Sequence, residues 1–287
     1  MLSTTAATVM VYTLVCTTYA NRRGNRAAQT GGIAMVSFDL SGKTAIVTGG
    51  SRGLGLDMAL GLAQAGADIA ILARNKAVID EACTLIATET GRTVRGYAVD
   101  MADISALDAT AKQVLADFGS IDILVNNAAQ LIGESVDDLT PESFDTCMDA
   151  NVKGPYFLSQ CVVRDWMREH GGHIVNICSV MSFRATDTSP IYSITKAAEA
   201  MMTQCQALAW SQHGIYVNGI APGQMYLGMG ANMPQDYVDN IAAKIPQRRM
   251  GQAEDLTGAV VYLSSDACRY TQGQIIVVDG GVLLGLK

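Results

Sequence analysis

The chain has 287 residues, 49% of them hydrophobic, and a formal net charge of −7 at pH 7. This length accommodates one large or two small domains, and the apolar share is sufficient for a buried α/β core. The acidic balance argues against a nucleic-acid partner, because such partners are bound through basic surfaces that neutralise phosphates.

The seven cysteines and three histidines do not have the spacing of metal ligands. The cysteines are scattered without a CxxC pair, a pattern typical of small buried side chains in a reducing compartment. His170 and His173 flank two glycines, and we expect both on the surface, in a turn between a helix and a strand. We therefore predict no metal site.

Residues 1–38 differ in composition from the rest, because they contain no acidic residue and no lysine. Their apolar run at 9–16 is too short to span a bilayer, so we predict no membrane span. Two interpretations of 1–35 stay open. This extension is an organellar transit peptide, which would place the protein in mitochondria, or it is a disordered tail or lies upstream of a true start at Met35. The second interpretation predicts a cytoplasmic protein.

From Lys43 onward, short apolar runs alternate with longer helical patterns. We predict strands at 44–47, 69–72, 94–99, 121–125, 173–177, 216–220 and 275–278, and helices at 55–65, 79–90, 106–118, 141–168, 192–213 and 256–263. This alternation favours right-handed βαβ crossovers and a parallel sheet. The sequence thus predicts one α/β domain over 36–287, a Rossmann-type doubly wound parallel sheet of about seven strands with helices on both faces.

A glycine-rich turn joins the first predicted strand to the first helix. Glycine lets the backbone approach a pyrophosphate, and a helix N-terminus offers free N–H groups and the positive end of the helix dipole. Three glycines alone are weak evidence, since tight turns need glycine anyway, but their place between strand and helix strengthens it. We expect this turn to bind a dinucleotide through Gly49, Ser51, Arg52, Gly53, Leu54 and Gly55.

The residue that follows the second strand favours NADP(H) over NAD(H). An NAD site places an acid there to accept from the ribose 2′-hydroxyl. Arg74 stands in that region instead, and a guanidinium pairs with a 2′-phosphate. Arg52 is a second candidate for the same phosphate, and the alternative is that both arginines are merely solvated. We predict NADP(H), with NAD(H) possible.

Tyr192 and Lys196 are four residues apart in a predicted helix, so their side chains share one face. A free tyrosine has a pKa of about 10, and a neighbouring ammonium stabilises the phenolate. Such a pair exchanges a proton with a carbonyl or alcohol oxygen. Taken alone, this spacing is most often a surface feature, but Ser179 follows strand five at the sheet edge where open α/β sheets bind ligands.

The chain resembles the classical short-chain dehydrogenase/reductase family from about 38 to 281. The resemblance rests on these residues as an ordered set: Thr48 to Gly55, Asp100, Asn126 to Ala129, Asn151, Ser179, Tyr192 to Lys196, Pro222, Gly223 and Val278 to Gly281. The segment 245–251 is similar to the branch that holds 3-oxoacyl carrier-protein reductases and gluconate or polyol dehydrogenases.

The resemblance implies a role for each matching residue. Tyr192 is the catalytic acid/base, Ser179 positions the substrate oxygen, Lys196 binds the nicotinamide ribose, and Asn151 holds a water of the proton relay. For the cofactor, the resemblance implies Asp100 and Met101 at the adenine, Asn126 and Ala128 along the adenosine and ribose, and Pro222 and Gly223 beside the nicotinamide. It also implies a homotetramer or homodimer.

Two positions depart from the family pattern. Ala129 stands where glycine is usual, and Leu227 stands where the family has a threonine that helps hold the nicotinamide amide; Gln224 or backbone groups are the substitutes. We expect a mobile substrate flap at about 224–249, rich in methionine and able to cover an apolar or adaptable substrate.

Three hypotheses follow, all with a small molecule as partner. The first is an NADPH-dependent reductase that converts a ketone to a secondary alcohol. The second is an NAD-dependent polyol or sugar-acid dehydrogenase. The third is a catalytically weak dinucleotide-binding interaction module, against which the complete set of four catalytic residues argues.

Overall fold

The computed structural model describes residues 36–226 and 233–285. Its strands are β1 (Thr44–Thr48), β2 (Asp68–Ala73), β3 (Val94–Ala98), β4 (Ile123–Asn126), β5 (Gly172–Ile177), β6 (Ile215–Pro222) and β7 (Ile275–Val278). Its helices are α1 (Gly53–Gln64), α2 (Lys76–Thr90), α3 (Ile104–Phe118), α4 (Pro141–Met148), α5 (Gly154–Val162), α6 (Arg168–His170), α7 (Pro190–Trp210), α8 (Gln235–Lys244) and α9 (Glu254–Leu263). The interpretation of 1–35 lies outside the described residues.

The seven strands form one parallel sheet in the order β3-β2-β1-β4-β5-β6-β7. The predicted Rossmann-type architecture is therefore confirmed. The strand order reverses direction between β1 and β4, and the ends of neighbouring strands separate there to leave a crevice. In open α/β sheets, ligands bind in this crevice at the carboxyl ends of the strands.

The sheet is buried on both faces. Adjacent residues of β1 point to opposite sides: Val47 packs in the cluster with α1 and α9, whereas Ile46 packs in the cluster with α3 and α5. This two-sided burial explains why the inner strands β1, β2 and β4 are nearly continuous apolar runs rather than alternating ones. The buried sheet also supports the site rigidly at the carboxyl ends of its strands.

Local signals in the sequence set several helix ends. The Asn75 side chain accepts from the backbone N–H of Ala77 at the start of α2, and Gly91 ends that helix with φ of +68°. Asp103 caps α3 in the same way, through the N–H of Ala106. Short polar side chains at the N-cap and left-handed glycines at the C-terminus satisfy backbone groups that a helix end leaves free.

The segment from 141 to 170 is helical, as predicted, but two π-helical turns interrupt it at Asp149–Lys153 and Val163–Met167. The first turn contains Asn151, whose side chain is fully buried. π-helical turns occur frequently at functional sites because they re-aim one side chain without ending the helix.

The structure differs from the sequence prediction at several places. Cys205, expected to be buried like the other cysteines, is exposed on α7. His173 is not on the surface. It lies in β5 opposite Ile123 of β4, is 7% exposed and stacks on Tyr216. The predicted flap contains α8, which the pattern did not reveal because the helix is mostly polar and buries only Val238. None of the helices in 36–226 and 233–285 combines the length and the mean hydropathy of a membrane span.

Candidate active site

A cavity of about 800 Å³ lies at the crevice between β1 and β4. The β1–α1 turn lines it, together with the residues that follow β2, β3 and β4. Every residue that the sequence assigned to this turn takes part: Gly49, Ser51, Arg52, Gly53, Leu54 and Gly55. The sheet topology thus brings the predicted glycine turn to the predicted ligand-binding edge.

Two glycines of this turn are required by its geometry. Gly49 has φ of +64°, a left-handed conformation that favours glycine. A Cβ atom at Gly55 would collide with the Gly49 carbonyl and the Asn127 side-chain amide. The backbone of the turn is thereby packed against the first residues of α1 with no side chain between them.

The N-terminus of α1 is suited to a phosphate group. Arg52 is its N-cap residue, makes no side-chain capping hydrogen bond, and no acidic residue stands in the first turn. The backbone N–H groups at this end therefore remain free to bind an anion, and the helix dipole attracts one. The cradle fits the pyrophosphate of a dinucleotide.

Arg74 and Asp100 face each other across the far end of this cavity. Their charged atoms are 4.0 Å apart, and both side chains are at least half exposed. Met101 lines the same wall and is 8% exposed. Arg52 also lines the cavity and is exposed, so two guanidinium groups are free to turn toward a bound phosphate.

The residues after β4 are held by Thr48. Its hydroxyl accepts from the backbone N–H groups of Asn127 and Ala128 at 2.9 and 3.0 Å. The Asn127 side chain donates back to the Thr48 carbonyl at 2.9 Å. Asn127 and Ala128 line the cavity in consequence. The sequence did not predict this role of Thr48.

Asn126 does not line the cavity, in contrast to its expected place along the adenosine. It is 4% exposed, and its amide donates to Ser159 Oγ at 3.0 Å and to Asn176 Oδ1 at 2.8 Å. Asn126 thus ties β4 to β5 and α5 inside the protein. Alternation along the strand explains the difference, because neighbouring residues point to opposite sides.

A second cavity, of about 370 Å³, adjoins the first. The two share Leu54, Asn127 and Ala129 as lining residues. The second cavity is also lined by residues to which the resemblance assigns catalysis or the nicotinamide, namely Ser179, Tyr192, Lys196, Pro222 and Gly223. The cofactor cleft therefore leads directly to the predicted catalytic residues.

Ser179 stands at the end of a buried strand with its hydroxyl directed by the backbone. Its Oγ accepts from the N–H of Met181 at 3.1 Å, which leaves the hydroxyl proton available for another acceptor. A short 3-10 turn, Val180–Ser182, follows Ser179. Ser182 donates to the Lys196 carbonyl at 2.7 Å, so this turn is attached to α7. Ser179 is consequently fixed relative to Tyr192.

Asn151 is positioned by the backbone of Gln130. Its Oδ1 accepts from the Gln130 N–H at 2.7 Å, and its amide donates to the Gln130 carbonyl at 2.9 Å and to Thr195 Oγ1 at 3.0 Å. The Thr195 hydroxyl in turn donates to the Tyr192 carbonyl at 2.9 Å. Asn151 therefore connects to the Tyr192 helix through Thr195, and its oxygen keeps one lone pair for a water.

Lys196 is almost completely buried, and its ammonium is 5.5 Å from the centre of the Tyr192 ring. It donates to the Ile177 carbonyl at 2.8 Å and to both oxygens of Glu199 at 3.0 and 2.8 Å. Burial lowers the pKa of Lys196, but the adjacent Glu199, together with Tyr192 and Cys178, outweighs burial, so the net direction is upward. The lysine is charged when it faces the tyrosine.

Sequence reasoning missed Glu199 and three hydroxyl groups of the second cavity. Glu199 is 3% exposed and follows Lys196 by one helical turn, a signal visible as an acid on the buried face of α7. Thr186, Thr188 and Ser189 line the cavity beside Met181 and Met233. They belong to the segment between Ser179 and Pro190, where no pattern in the sequence identifies single residues.

The described part of the predicted flap is anchored to the body of the domain. Met225 pairs with Gly251, with backbone hydrogen bonds of 2.9 Å on both sides of the pair. Gln224 and Met233 line the second cavity. Leu227, at the position where the resemblance leads one to expect threonine, lies outside the described residues.

The fold and the paired cavities define an α/β protein with a dinucleotide cleft that opens onto a tyrosine–lysine site. A family model described as enoyl-(acyl carrier protein) reductase matches residues 49–283. The chain belongs to the short-chain dehydrogenase/reductase family, whose members named below are dehydrogenases and reductases.

Three similar proteins illustrate the range of relatives. The 2-dehydro-3-deoxy-D-gluconate 5-dehydrogenase of Dickeya dadantii is 38% identical over 86% of this chain and 98% of its own. The gluconate 5-dehydrogenase of Burkholderia cenocepacia, solved with NADP and tartrate, is 34% identical with a TM-score of 0.82 and covers 88% of this chain and 100% of its own. The L-sorbose reductase of Gluconobacter frateurii, solved with NADPH and L-sorbose, is 30% identical with a TM-score of 0.82 over 87% of this chain and 100% of its own.

The chain is therefore an enzyme of the class that interconverts an alcohol and a carbonyl group with a nicotinamide dinucleotide.

Proposed function

We propose that the protein interconverts a ketone and a secondary alcohol on a small polyhydroxylated molecule, with NADP(H) as cofactor and Tyr192 as acid/base. The observation that carries this proposal is the shared wall of the two cavities. Leu54, Asn127 and Ala129 border both the cofactor cleft and the cavity that holds Tyr192 and Lys196. A cofactor in the first cavity extends toward the residues of the second.

The charges of the first cavity favour NADP(H). Arg74 and Arg52 are the cationic side chains of its lining, and Asp100 is its acidic one. A 2′-phosphate competes with Asp100 for Arg74, because the existing contact is long and exposed and therefore weak. Two solved relatives contain NADP or NADPH.

Three residues of the second cavity have separate roles in the proposed reaction. When bound, NADPH supplies the hydride that reaches the carbonyl carbon. Ser179 donates its free hydroxyl proton as a hydrogen bond to the substrate oxygen, and Tyr192 transfers its phenolic proton to that oxygen. The Lys196 ammonium stabilises the phenolate left behind. In the reverse direction Tyr192 takes the proton from the alcohol.

The hydroxyl groups of Thr186, Thr188 and Ser189 support a polyhydroxylated substrate, since each is able to donate or accept a hydrogen bond. Met181 and Met233 supply adaptable apolar contacts beside them. The relatives that act on gluconate derivatives and on L-sorbose agree with this substrate class.

The test is turnover by the full chain with matched substrate and cofactor pairs. L-sorbose and 5-keto-D-gluconate are offered as ketones, and sorbitol and gluconate as alcohols, each with NADP(H) and with NAD(H), while nicotinamide absorbance is followed. We expect turnover with a preference for the phosphorylated cofactor of about tenfold or more, or about 1.4 kcal/mol.

Other outcomes select other functions. A preference for NAD(H) with turnover of polyols or sugar acids contradicts the cofactor assignment and favours an NAD-dependent polyol or sugar-acid dehydrogenase. Tight cofactor binding without turnover of any ketone in a wider panel favours a binding module instead.

A further inference from the structure

The buried charge of Glu199 has no role in the chemistry described so far. Its side chain is among the least exposed of the described acids, and its only hydrogen-bond donor among the described residues is the Lys196 ammonium, at 3.0 and 2.8 Å. A carboxylate is expensive to bury unless it is paired. An acid here therefore calls for a reason beyond packing.

We infer that Glu199 is a positioning residue that holds the Lys196 ammonium and offsets its charge, and thereby sets the pH at which the Tyr192–Lys196 pair releases its first proton. The inference rests on the proposed function in one respect, namely that Tyr192 is the group whose ionisation matters.

The geometry gives Glu199 this influence. An ammonium has three N–H donors. The Ile177 carbonyl receives one of them, and the two Glu199 oxygens receive the others. These contacts fix Nζ on the side of the helix that faces β5, at 5.5 Å from the Tyr192 ring centre.

The electrostatic consequence has a definite sign. Burial raises the pKa of Glu199 to about 7, and the Lys196 ammonium opposes that shift, so the carboxylate is ionised above this pH. With Glu199 ionised, loss of a proton from the tyrosine–lysine pair leaves the trio with a net negative charge in a buried place. Without Glu199, the same loss takes the pair from positive to neutral. The first proton therefore leaves at a lower pH when the carboxylate is removed, and it leaves from Tyr192 as long as Lys196 stays charged.

Among the described residues, one further titratable group faces Tyr192, Lys196 and Glu199, and it keeps its proton over the working pH range. The thiol of Cys178, at the end of β5, lies beside Lys196 and Glu199, and burial together with the Glu199 charge raises its pKa to about 12. Cys178 therefore stays protonated over the working range. On α7 itself, the neighbours Thr195 and Thr203 are hydroxyls that do not titrate.

The experiment compares wild type, Glu199→Asp and Glu199→Gln. Tyrosinate absorbance is titrated for each protein and for the same protein carrying Tyr192→Phe, and the difference isolates Tyr192 among the ten tyrosines. The pH profile of kcat for alcohol oxidation is recorded in parallel. We expect the midpoint to fall by about one pH unit for Glu199→Gln, with Glu199→Asp between it and wild type.

A matched control separates this effect from loss of stability. Asp122→Asn removes a carboxylate that accepts from the Thr44 N–H at 2.9 Å and from Ser120 at 2.7 Å, at the opposite edge of the sheet. We expect that variant to be less stable and to keep the wild-type midpoint.

An unchanged or higher midpoint in folded Glu199→Gln overturns the inference. If Glu199→Gln does not fold, Glu199→Asp decides, since its shorter side chain cannot keep both oxygens on Nζ, and an unchanged midpoint there has the same meaning. Because the absorbance titration needs no substrate, a shifted midpoint in a protein that turns over no ketone leaves this inference intact and removes the proposed function alone.

Discussion

The ion pairs at the two ends of the cleft differ in their exposure to solvent. At the adenosine end, Arg74 and Asp100 are 64% and 50% exposed and stand 4.0 Å apart. At the catalytic end, Lys196 and Glu199 are 2% and 4% exposed and make contact at 2.8 Å. Water screens the first pair, whereas the second pair is held by the protein alone.

This difference in exposure suits the two ion pairs to different tasks, namely cofactor selection at the adenosine end and proton transfer at the catalytic end. An exposed pair rearranges easily, so it is suited to choosing between two cofactors that differ by one phosphate. A buried pair is fixed, so it is suited to holding a charge at a constant distance from a reacting group. Variants at the adenosine end should therefore change cofactor preference, whereas variants at the catalytic end should change turnover or stability.

The largest expected effect is that of Tyr192→Phe. Loss of the phenolic proton should lower kcat by about 100- to 10,000-fold, the usual range for a general acid, with NADPH affinity little changed. Steady-state kinetics and fluorescence titration measure the two quantities. Tyr270→Phe is the control, since that tyrosine is fully exposed. Equal turnover in Tyr192→Phe and wild type would contradict the mechanism.

The next effect concerns stability at the buried pair. Lys196→Met leaves Glu199 buried without a partner, which should lower the free energy of unfolding by about 3–5 kcal/mol. Lys43→Met is the matched control, because its pair with Asp122 is 3.6 Å long and the lysine is 48% exposed. We expect that control to change stability by less than about 1 kcal/mol. Urea unfolding of both variants tests the contrast, which fails if the two losses are similar.

The third prediction concerns His173, a buried titratable side chain away from the active site, and the pH dependence of stability that its burial causes. Burial lowers the pKa of His173 to about 4. Between pH 6.5 and 4 the unfolded chain therefore binds more protons than the folded one, and stability should fall as the pH falls, by about 3 kcal/mol over this window.

The check for His173 is urea unfolding at pH 7, 5.5 and 4. His173→Gln should flatten this part of the profile, whereas His170→Gln, at an exposed histidine, should keep it. A wild-type profile that is unaffected by His173→Gln would show that other groups dominate acid sensitivity.

The smallest expected effect belongs to the exposed end. Arg74→Ala should remove the preference for NADPH, a change of about tenfold or 1.4 kcal/mol, and leave stability unchanged. Arg95→Ala, at another half-exposed arginine, should keep the preference. Retention of the preference in Arg74→Ala would move the 2′-phosphate contact to Arg52.

Sequence reasoning was most reliable where a local pattern is itself the cause of the structure. The inner strands β1, β2 and β4 are apolar runs because both faces are buried, and all seven strands of the sheet are found within two residues of their predicted positions. It was least reliable where a contact joins distant segments. Nothing local distinguishes Asn126 from Asn127, yet one is buried against Ser159 and the other lines the cleft.

The sequence by itself determined the alternation of strands and helices, the glycine turn before α1, and the helical spacing of Tyr192 and Lys196, because each depends on residues close in the chain. Only the tertiary structure decided which side chains share a cavity, that His173 is buried, and that Glu199 accepts hydrogen bonds from the buried lysine. Those features depend on strand order and on packing between elements far apart in sequence. The charge that matters most for the proposed chemistry is therefore set by the fold.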